Sequence, residues 1–445
     1  QLLLNVIRRR NNNSTTMVKG LHLAVLLLTA CQAYAWINGG DFTKEFERCT
    51  GVLTNEIAGG KYEQQCTDLL IPLDASHKRI GNFTDEQMNY LQSLFRQMFL
   101  EGRGGNRVKR HAGGPWRFRE EIRANNGKPF QKYAEAIIGL TKSGRYDFFA
   151  QIHVTIVSTA HFGPNFLPWH RLYLLTLETA LGVPIPYWDS TEDIIMKKPE
   201  KSVVWSKRYF GNGWGVVRTG PFANFQSPLG PIFRKINAWG SLLDRPSIFK
   251  YVLSQVRLGD ISSPTAKPKS NLEYYHNDVH AWVNGLMGNL GYSAYDPVFH
   301  CLHSMIDNIW ELFRKGQAKQ GINPETDFVK TSLPGQSPKD KSGIEMYKNF
   351  DGLSNKVASQ VIYAPLSQCP ICQGSSDKYC DQFSGSCVSR ARFEFESPLG
   401  LAEADKIAKL SGLGNDVWGQ AFRVSRLDER VRGDPVQSRG LKLGK

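Results

Sequence analysis

No uninterrupted apolar run of roughly 18 residues occurs in the chain, so no segment is expected to cross a bilayer as a helix. A Rossmann glycine fingerprint, a P-loop and a Walker sequence are also missing, which sets dinucleotide and nucleoside triphosphate chemistry aside. Acidic residues are in short supply: 41 Asp and Glu stand against 55 Lys and Arg, a formal net charge of +14. Such a surface is expected to adhere to acidic partners such as anionic matrix proteins or polysaccharides, or simply to keep the chain in solution. Nucleic acid is the weaker expectation, because no recognised nucleic-acid motif accompanies the charge.

One short apolar stretch does have an address. Met17 and Lys19 form a positive n-region, LHLAVLLLTA an h-region and Ala33-Tyr34-Ala35 a cleavage site, the pattern of a secretory signal. Residues 1–35 therefore read as leader plus signal peptide, against the alternative of a buried N-terminal helix. The expected mature chain, 36–445, is secreted and carries +10, because Arg8, Arg9, Arg10 and Lys19 leave and no acid does. Its 410 residues are ample for a large core.

Cysteine is sparse, at eight residues, and Cys31 falls within the signal. In an oxidising compartment Cys49, Cys66, Cys369, Cys372, Cys380 and Cys387 read as disulfides. The simplest pairing is Cys49 with Cys66 plus two bridges among the last four, in an order left open; a zinc site at CPIC is the alternative. Cys301, on an apolar helix face, reads as a buried thiol. Asn82-Phe83-Thr84 is a glycosylation sequon, expected on the surface.

Helical signals dominate what is present. Thr84 and Gln87 form a capping box ahead of MNYLQSLFRQMFL. A Gly-rich basic loop follows, in which Arg107-Val108-Lys109-Arg110 suits a dibasic processing protease or is merely solvated. From Pro129, KYAEAIIGL and YDFFAQIHVTIV carry apolar residues at helical spacing, with His153 on a buried face. His161 falls in a connection, and Pro168 opens the next helix with His170 in its first turn. Residues 185–270, rich in Gly, Pro, Trp and Ser, read as a loop-dominated excursion with a helix near 241–256. In NLEYYHNDVHAWVNGL, His276 and His280 share a helix face. Asp296 as N-cap and Pro297 at the first helical position announce the last long helix, which places His303 and Asp307 on one face. Beyond 350 come a Cys-rich region, a short helix around 400–411 and a basic tail from Arg423.

A single histidine on an apolar face is usually a satisfied core residue. Here His153, His161 and His170 form one cluster, and His276, His280, His300 and His303 a second. Burying so many imidazoles without a shared partner costs about 1–3 kcal/mol for each unsatisfied group. A metal removes that cost, and helix-bundle cores are where such sites are built. No carboxylate-rich constellation accompanies the histidines, which disfavours di-iron and di-manganese sites. Imidazole suits copper or zinc, and two three-histidine sets are what a copper pair sharing one O2 needs.

The stretches HFGPNFLPWHRLYLLTLE and HNDVH…DPVFHCLHSMIDNIW, with IPYWDSTED between them, resemble the two copper signatures of tyrosinases, catechol oxidases and molluscan haemocyanins. The resemblance covers roughly residues 77–350 and is closest to molluscan shell-matrix tyrosinase-like proteins. It implies a mainly α fold: a four-helix-bundle dicopper core with long loops and a small Cys-rich C-terminal region. The implied organisation is an N-terminal disulfide-tied segment with the first helix (36–110), the dicopper core (111–350) and the Cys-rich region with its tail (351–445).

By the same resemblance, His153, His161 and His170 hold one copper and His276, His280 and His303 the other. His300 is then a neighbour of the site or a surface bystander. Glu273 and Asn277 match positions that orient a water to deprotonate a phenol, although Glu273 also reads as an ordinary surface carboxylate. Asp307 is expected to accept a ligand histidine's second N–H, or else to pair with Arg314. Thr159 stands where many relatives have a cysteine cross-linked to histidine, so that bond is excluded and His161 is expected to be freer. The implied function is a secreted monophenol and o-diphenol oxidase that uses O2 and acts on phenolic small molecules or protein Tyr and Dopa, cross-linking or pigmenting an extracellular shell matrix. A haemocyanin-like oxygen binder and a catechol-only oxidase are the alternatives.

Overall fold

The computed structural model describes residues 83–101 and 117–392, apart from 238–239, 332, 334 and 341–346. The signal peptide, the Cys49–Cys66 pair, Asn82, the 107–110 basic site, the helix around 400–411 and the basic tail lie outside these residues. The first described element, α1 (Asp85–Glu101), begins with the reciprocal cap read from the sequence. Thr84 N donates to Gln87 Oε1 at 2.9 Å and Gln87 N to Thr84 Oγ1 at 3.2 Å, which satisfies two N-terminal donors. Its buried Leu91, Leu94, Phe95 and Met98 face α4, described below.

A short strand β1 (Arg117–Arg119) leads into α2 (Ala124–Lys142), whose first turn is interrupted by left-handed Asn125, Asn126 and Gly127 before Pro129. Then come the paired helices α3 (Tyr146–Thr155) and α4 (Phe166–Leu181). Every residue of α4 from Phe166 to Thr179 is buried, as expected of a helix at the centre of a bundle, and its charged Arg171 and Glu178 meet buried partners. Gly182, at φ +67°, stops it, and its N–H returns to Glu178 O at 2.9 Å. Pro168 is the third residue of α4, where its missing N–H still costs no helix bond, and this puts His170 fifth.

The excursion from 185 to 270 is irregular, as expected. It holds the antiparallel strands β2 (Trp214–Val216) and β3 (Phe233–Lys235), and a helical turn Arg245–Ser247 that continues as a π turn, Ile248–Val252. The second helix pair is α5 (Leu272–Val283) and α6 (Val298–Lys319). Asn271 caps α5 by accepting from Glu273 N at 3.0 Å. Asp296 caps α6 in the expected way: it is extended, Pro297 takes φ −57°, and Asp296 Oδ1 accepts from Val298 N at 3.1 Å. The same carboxylate takes two bonds from Arg234 on β3, at 2.7 and 2.8 Å, with both groups fully buried. The excursion is thereby tied to the start of α6, and breaking such a buried pair typically costs about 3–5 kcal/mol.

Past residue 350, β4 (Val361–Tyr363) pairs in parallel with β1, and β5 (Lys378–Asp381) forms a hairpin with β6 (Ser386–Ser389). The open disulfide order resolves as Cys369–Cys380 and Cys372–Cys387, which excludes zinc at CPIC. Cys301 is the free, buried thiol expected. From the hairpin, Lys378 enters the core and contacts Glu121 and Glu192 at 3.3 Å each. The architecture is mainly α, with helices α3 to α6 at its centre. No helix among the described residues is long and apolar enough to cross a membrane.

Candidate metal centre

Each helix pair delivers three imidazoles to one point. His153 lies near the end of α3, His161 in the connection just after the helical turn Val157–Ala160, and His170 on α4. His276 and His280 lie one turn apart on α5, and His303 faces them from α6. Within each triad one ring nitrogen per histidine lies within 4.8 Å of the others, and all six side chains are buried. The triads adjoin: the His170 and His303 rings stack at 4.3 Å, and those of His161 and His276 are 6.1 Å apart.

In four of the six rings a hydrogen bond at the back decides which nitrogen faces inward. His161 Nδ1 meets Glu273 Oε1 at 3.0 Å, His170 Nδ1 meets Phe166 O at 2.8 Å, His276 Nδ1 meets Asn277 Oδ1 at 2.9 Å and His280 Nδ1 meets Met287 O at 2.7 Å. Each acceptor is an oxygen without hydrogen, so each Nδ1 carries the proton and each Nε2 presents its lone pair. The Nε2 atoms converge: His153 and His161 approach to 3.0 Å, His276 and His303 to 2.9 Å. His170 Nε2 is buried with no hydrogen-bond partner. Convergent lone pairs on buried nitrogens are poor company for one another and good company for a cation. This donor set fits one copper ion per triad.

Burial keeps five of these rings neutral. It holds His153, His170, His276 and His303 well below the ordinary imidazole range and lowers His280 to about 3, with the neighbouring imidazoles adding to the effect. Two aromatic rings wall the centre. Phe299 lies 4.8 Å from His153 and 4.0 Å from His303, and Phe166 lies 4.8 Å from His170 and 4.9 Å from His276. The sequence reading did not single out either phenylalanine, although both sit inside the quoted motifs.

The remaining site residues find mixed places. Glu273 and Asn277 are both buried beside the triads, so Glu273 is not a surface carboxylate. Besides His161, Glu273 accepts the Phe162 N–H at 2.9 and 3.1 Å. His300 is buried rather than surface-facing: Tyr133 Oη lies 3.1 Å from its Nδ1 and Tyr173 Oη 3.4 Å from its Nε2, and burial lowers its pKa to about 3. The expectation for Asp307 is corrected. It meets neither a histidine nor Arg314: its carboxylate binds Arg171 Nε at 2.7 Å and Arg119 Nη1 at 3.0 Å, and accepts from Tyr363 Oη. His303 and Asp307 are four positions apart on one helix, but α6 turns the carboxylate toward the arginines of α4 and β1. Neither arginine could be placed there from sequence spacing, because β1 lies far from α6 along the chain.

Comparison with known proteins agrees with this geometry. Residues 143–316 match the model of the common central domain of tyrosinase. Tyrosinase-like protein 1 of Margaritifera margaritifera is 31% identical over 383 residues, covering 79% of this chain and 76% of the relative. The tyrosinase-like protein of Pinctada maxima is 30% identical over 352 residues, 71% of this chain and 76% of the relative. Among solved structures, a polyphenol oxidase from Thermothelomyces thermophila aligns with a TM-score of 0.45 at 16% identity, over 68% of this chain and 98% of that one. The chain belongs to the tyrosinase family, copper oxidoreductases with a dinuclear site and O2 as co-substrate.

Proposed function

We propose that this protein is a secreted phenol oxidase that hydroxylates monophenols at the ortho position and oxidises catechols to o-quinones. His153, His161 and His170 hold one copper in this reading, and His276, His280 and His303 hold the other. The observation that carries it is the convergence of buried Nε2 lone pairs in two adjoining triads. When bound, the copper pair supplies O2 binding and two-electron oxidation of the phenol. The chain's own residues do the rest. The Nδ1 contacts fix tautomer and ring orientation, and Phe166 and Phe299 keep bulk water from the centre.

Proton removal from an incoming monophenol falls to a water oriented by Glu273 and Asn277. Glu273 Oε2 has lone-pair capacity beyond its 3.1 Å contact with Phe162 N, and a carboxylate with an amide can fix such a water. Quinones add to amines and thiols, so phenolic small molecules or Tyr and Dopa on proteins would yield pigment or cross-links. The signal sequence and the +10 charge expected of the mature chain support action in an acidic extracellular matrix such as shell. The division into segments 36–110, 111–350 and 351–445 belongs to the same proposal.

A reversible oxygen carrier would use the same six histidines. The test is copper per chain, with O2 uptake on L-tyrosine and on a catechol. Two coppers with both substrates consumed is the expected result. Two coppers with catechol alone consumed reduces the reading to a catechol oxidase, and no turnover of either points to a carrier.

A further inference from the structure

The loop that carries His161 has an unusual conformation for its sequence. Phe162, immediately after the histidine, sits at φ +58°, a left-handed region that a bulky aromatic residue avoids and that persists only where the surroundings over-determine it. Thr159 rules out the covalent cross-link that relatives of this family make near here. The loop is nevertheless fastened at nearly every peptide.

Glu273 takes the Phe162 N–H, Asn165 Nδ2 donates to Thr159 O at 2.8 Å, and Phe166 N donates to Gly163 O at 3.1 Å. Ser262 Oγ also donates to Gly163 O at 3.4 Å, and a further hold comes from a distant part of the chain. Gln336, itself buried, donates from Nε2 to His161 O at 2.7 Å, while its Oε1 lies 3.4 Å from Asn165 N. The fit is close: a Cβ added to Gly163 would lie 1.8 Å from Gln336 Oε1, and one added to Gly335 would lie 2.4 Å from Thr159 Cγ2. The strap is anchored in turn, because Asn349 Nδ2 donates to both Gly335 O and Ser337 O at 2.8 Å.

We propose that Gln336 is a positioning residue for His161, and that the Gly335–Ser337 strap holds the His161 loop in place by hydrogen bonds and close packing. The geometry behind this is specific. The amide grips the carbonyl of the histidine itself and reaches toward the N–H at the mouth of α4, so it fixes the backbone on both sides of the strained Phe162. The two contacts of the Gln336 amide to the loop are with backbone, at His161 O and Asn165 N. Gln336 acts by keeping the His161 imidazole aimed when the loop would otherwise relax. The role rests on the proposed ligation of copper by His161, yet the loop geometry can be measured without metal.

The test compares the full chain with Gln336→Met, which preserves length and removes both polar contacts, and with Gln360→Met, the same change at a glutamine paired to Arg117. Deuterium uptake is followed in copper-free protein, and copper release to a chelator in loaded protein. Gln336→Met should raise uptake in the 159–166 peptide and leave the 276–283 peptide unchanged. One of the two coppers should leave about 10-fold faster, the scale of losing an outer support of a metal ligand, while the other keeps its rate. Gln360→Met should do neither. Unchanged uptake at 159–166, or equal acceleration of both coppers, overturns the proposal. Should Gln336→Met fail to fold, Gln336→Asn, one methylene too short to span the contacts, carries the same comparison. If the unmodified chain takes up no copper, the dicopper reading falls and the uptake experiment alone decides on Gln336.

Discussion

Arg171 on α4 grips Asp307 on α6 at 2.7 Å, next to His170 on one side and one turn past His303 on the other. The pair locks together the two helices that bring the triads face to face, and Arg119 and Tyr363 close the network from β1 and β4. Arg171, Arg119 and Asp307 are buried and Tyr363 is half-buried, and burial without a counter-charge is what makes such a network expensive to break.

Removing the carboxylate should therefore destabilise the fold. Asp307→Ala leaves Arg119 with Glu178 and Arg171 with Glu311 as their remaining carboxylates, and is expected to lower unfolding stability by about 1.5–3 kcal/mol, the scale of lost hydrogen bonds to charged groups. Denaturant unfolding of the copper-free protein measures this directly. A loss below about 1 kcal/mol, the scale of an exposed pair, would show that the network is solvated.

His300 and His303 are neighbours in sequence with opposite assignments. His303→Ala is expected to leave one copper per chain by elemental analysis, whereas His300→Ala keeps two. The His300 change should cost about 2–4 kcal/mol in stability, because it opens a cavity and strips Tyr133 and Tyr173 of a partner. Loss of a copper in the His300 variant would reverse the assignment.

A pH effect is expected away from the copper centre. Arg123 and Lys378 face Glu121, Glu192 and Asp193 in the core, with Asp189 close by and held by Arg245, so the buried acids outnumber the bases that meet them directly. Burial first of all raises Glu192 to about 7, and Arg123 and Lys378 only partly offset it. A carboxyl raised in the folded state favours the folded, protonated form, so the stability tied to it is full below its unfolded pKa and falls as pH climbs toward 7. Glu192→Gln should flatten that decline between roughly pH 5 and 7, by about 1–3 kcal/mol. Melting temperature against pH for both proteins checks it, and parallel curves would show that Glu192 stays ionised.

Asn277 should separate two activities. Orienting a water matters for a phenol that must lose its proton, and less for a catechol that coordinates readily. Asn277→Gly is expected to slow tyrosine hydroxylation about 100-fold, within the range for losing a proton acceptor, and catechol oxidation far less. Steady-state rates on the two substrates decide it. Equal losses would mean that Asn277 acts only by holding His276 Nδ1.

Local pattern made much of this legible from the chain. The Thr84–Gln87 cap, the Asp296-Pro297 start of α6, the helix pairs and the six converging histidines follow from contacts a few residues long, or from motifs that keep their spacing. The helix pairs and the clustering of histidines were therefore readable from the chain, whereas the fold class and the choice of copper over zinc came from the resemblance of its two signatures.

The tertiary structure decided whatever depends on partners remote in sequence. Four C-terminal cysteines admit three pairings, and only the β5–β6 hairpin selects one. Periodicity puts Asp307 on the histidine face of α6, but the arginine of a strand nearly two hundred residues earlier claims it. His300 points at two tyrosines because α6 rotates it away from the triad, and Gln336 enters the His161 loop from a segment without any motif. Sequence spacing determines which face of an element a side chain occupies; which opposite charge or carbonyl it meets there is set by long-range packing, where desolvation penalises every buried group that lacks a partner.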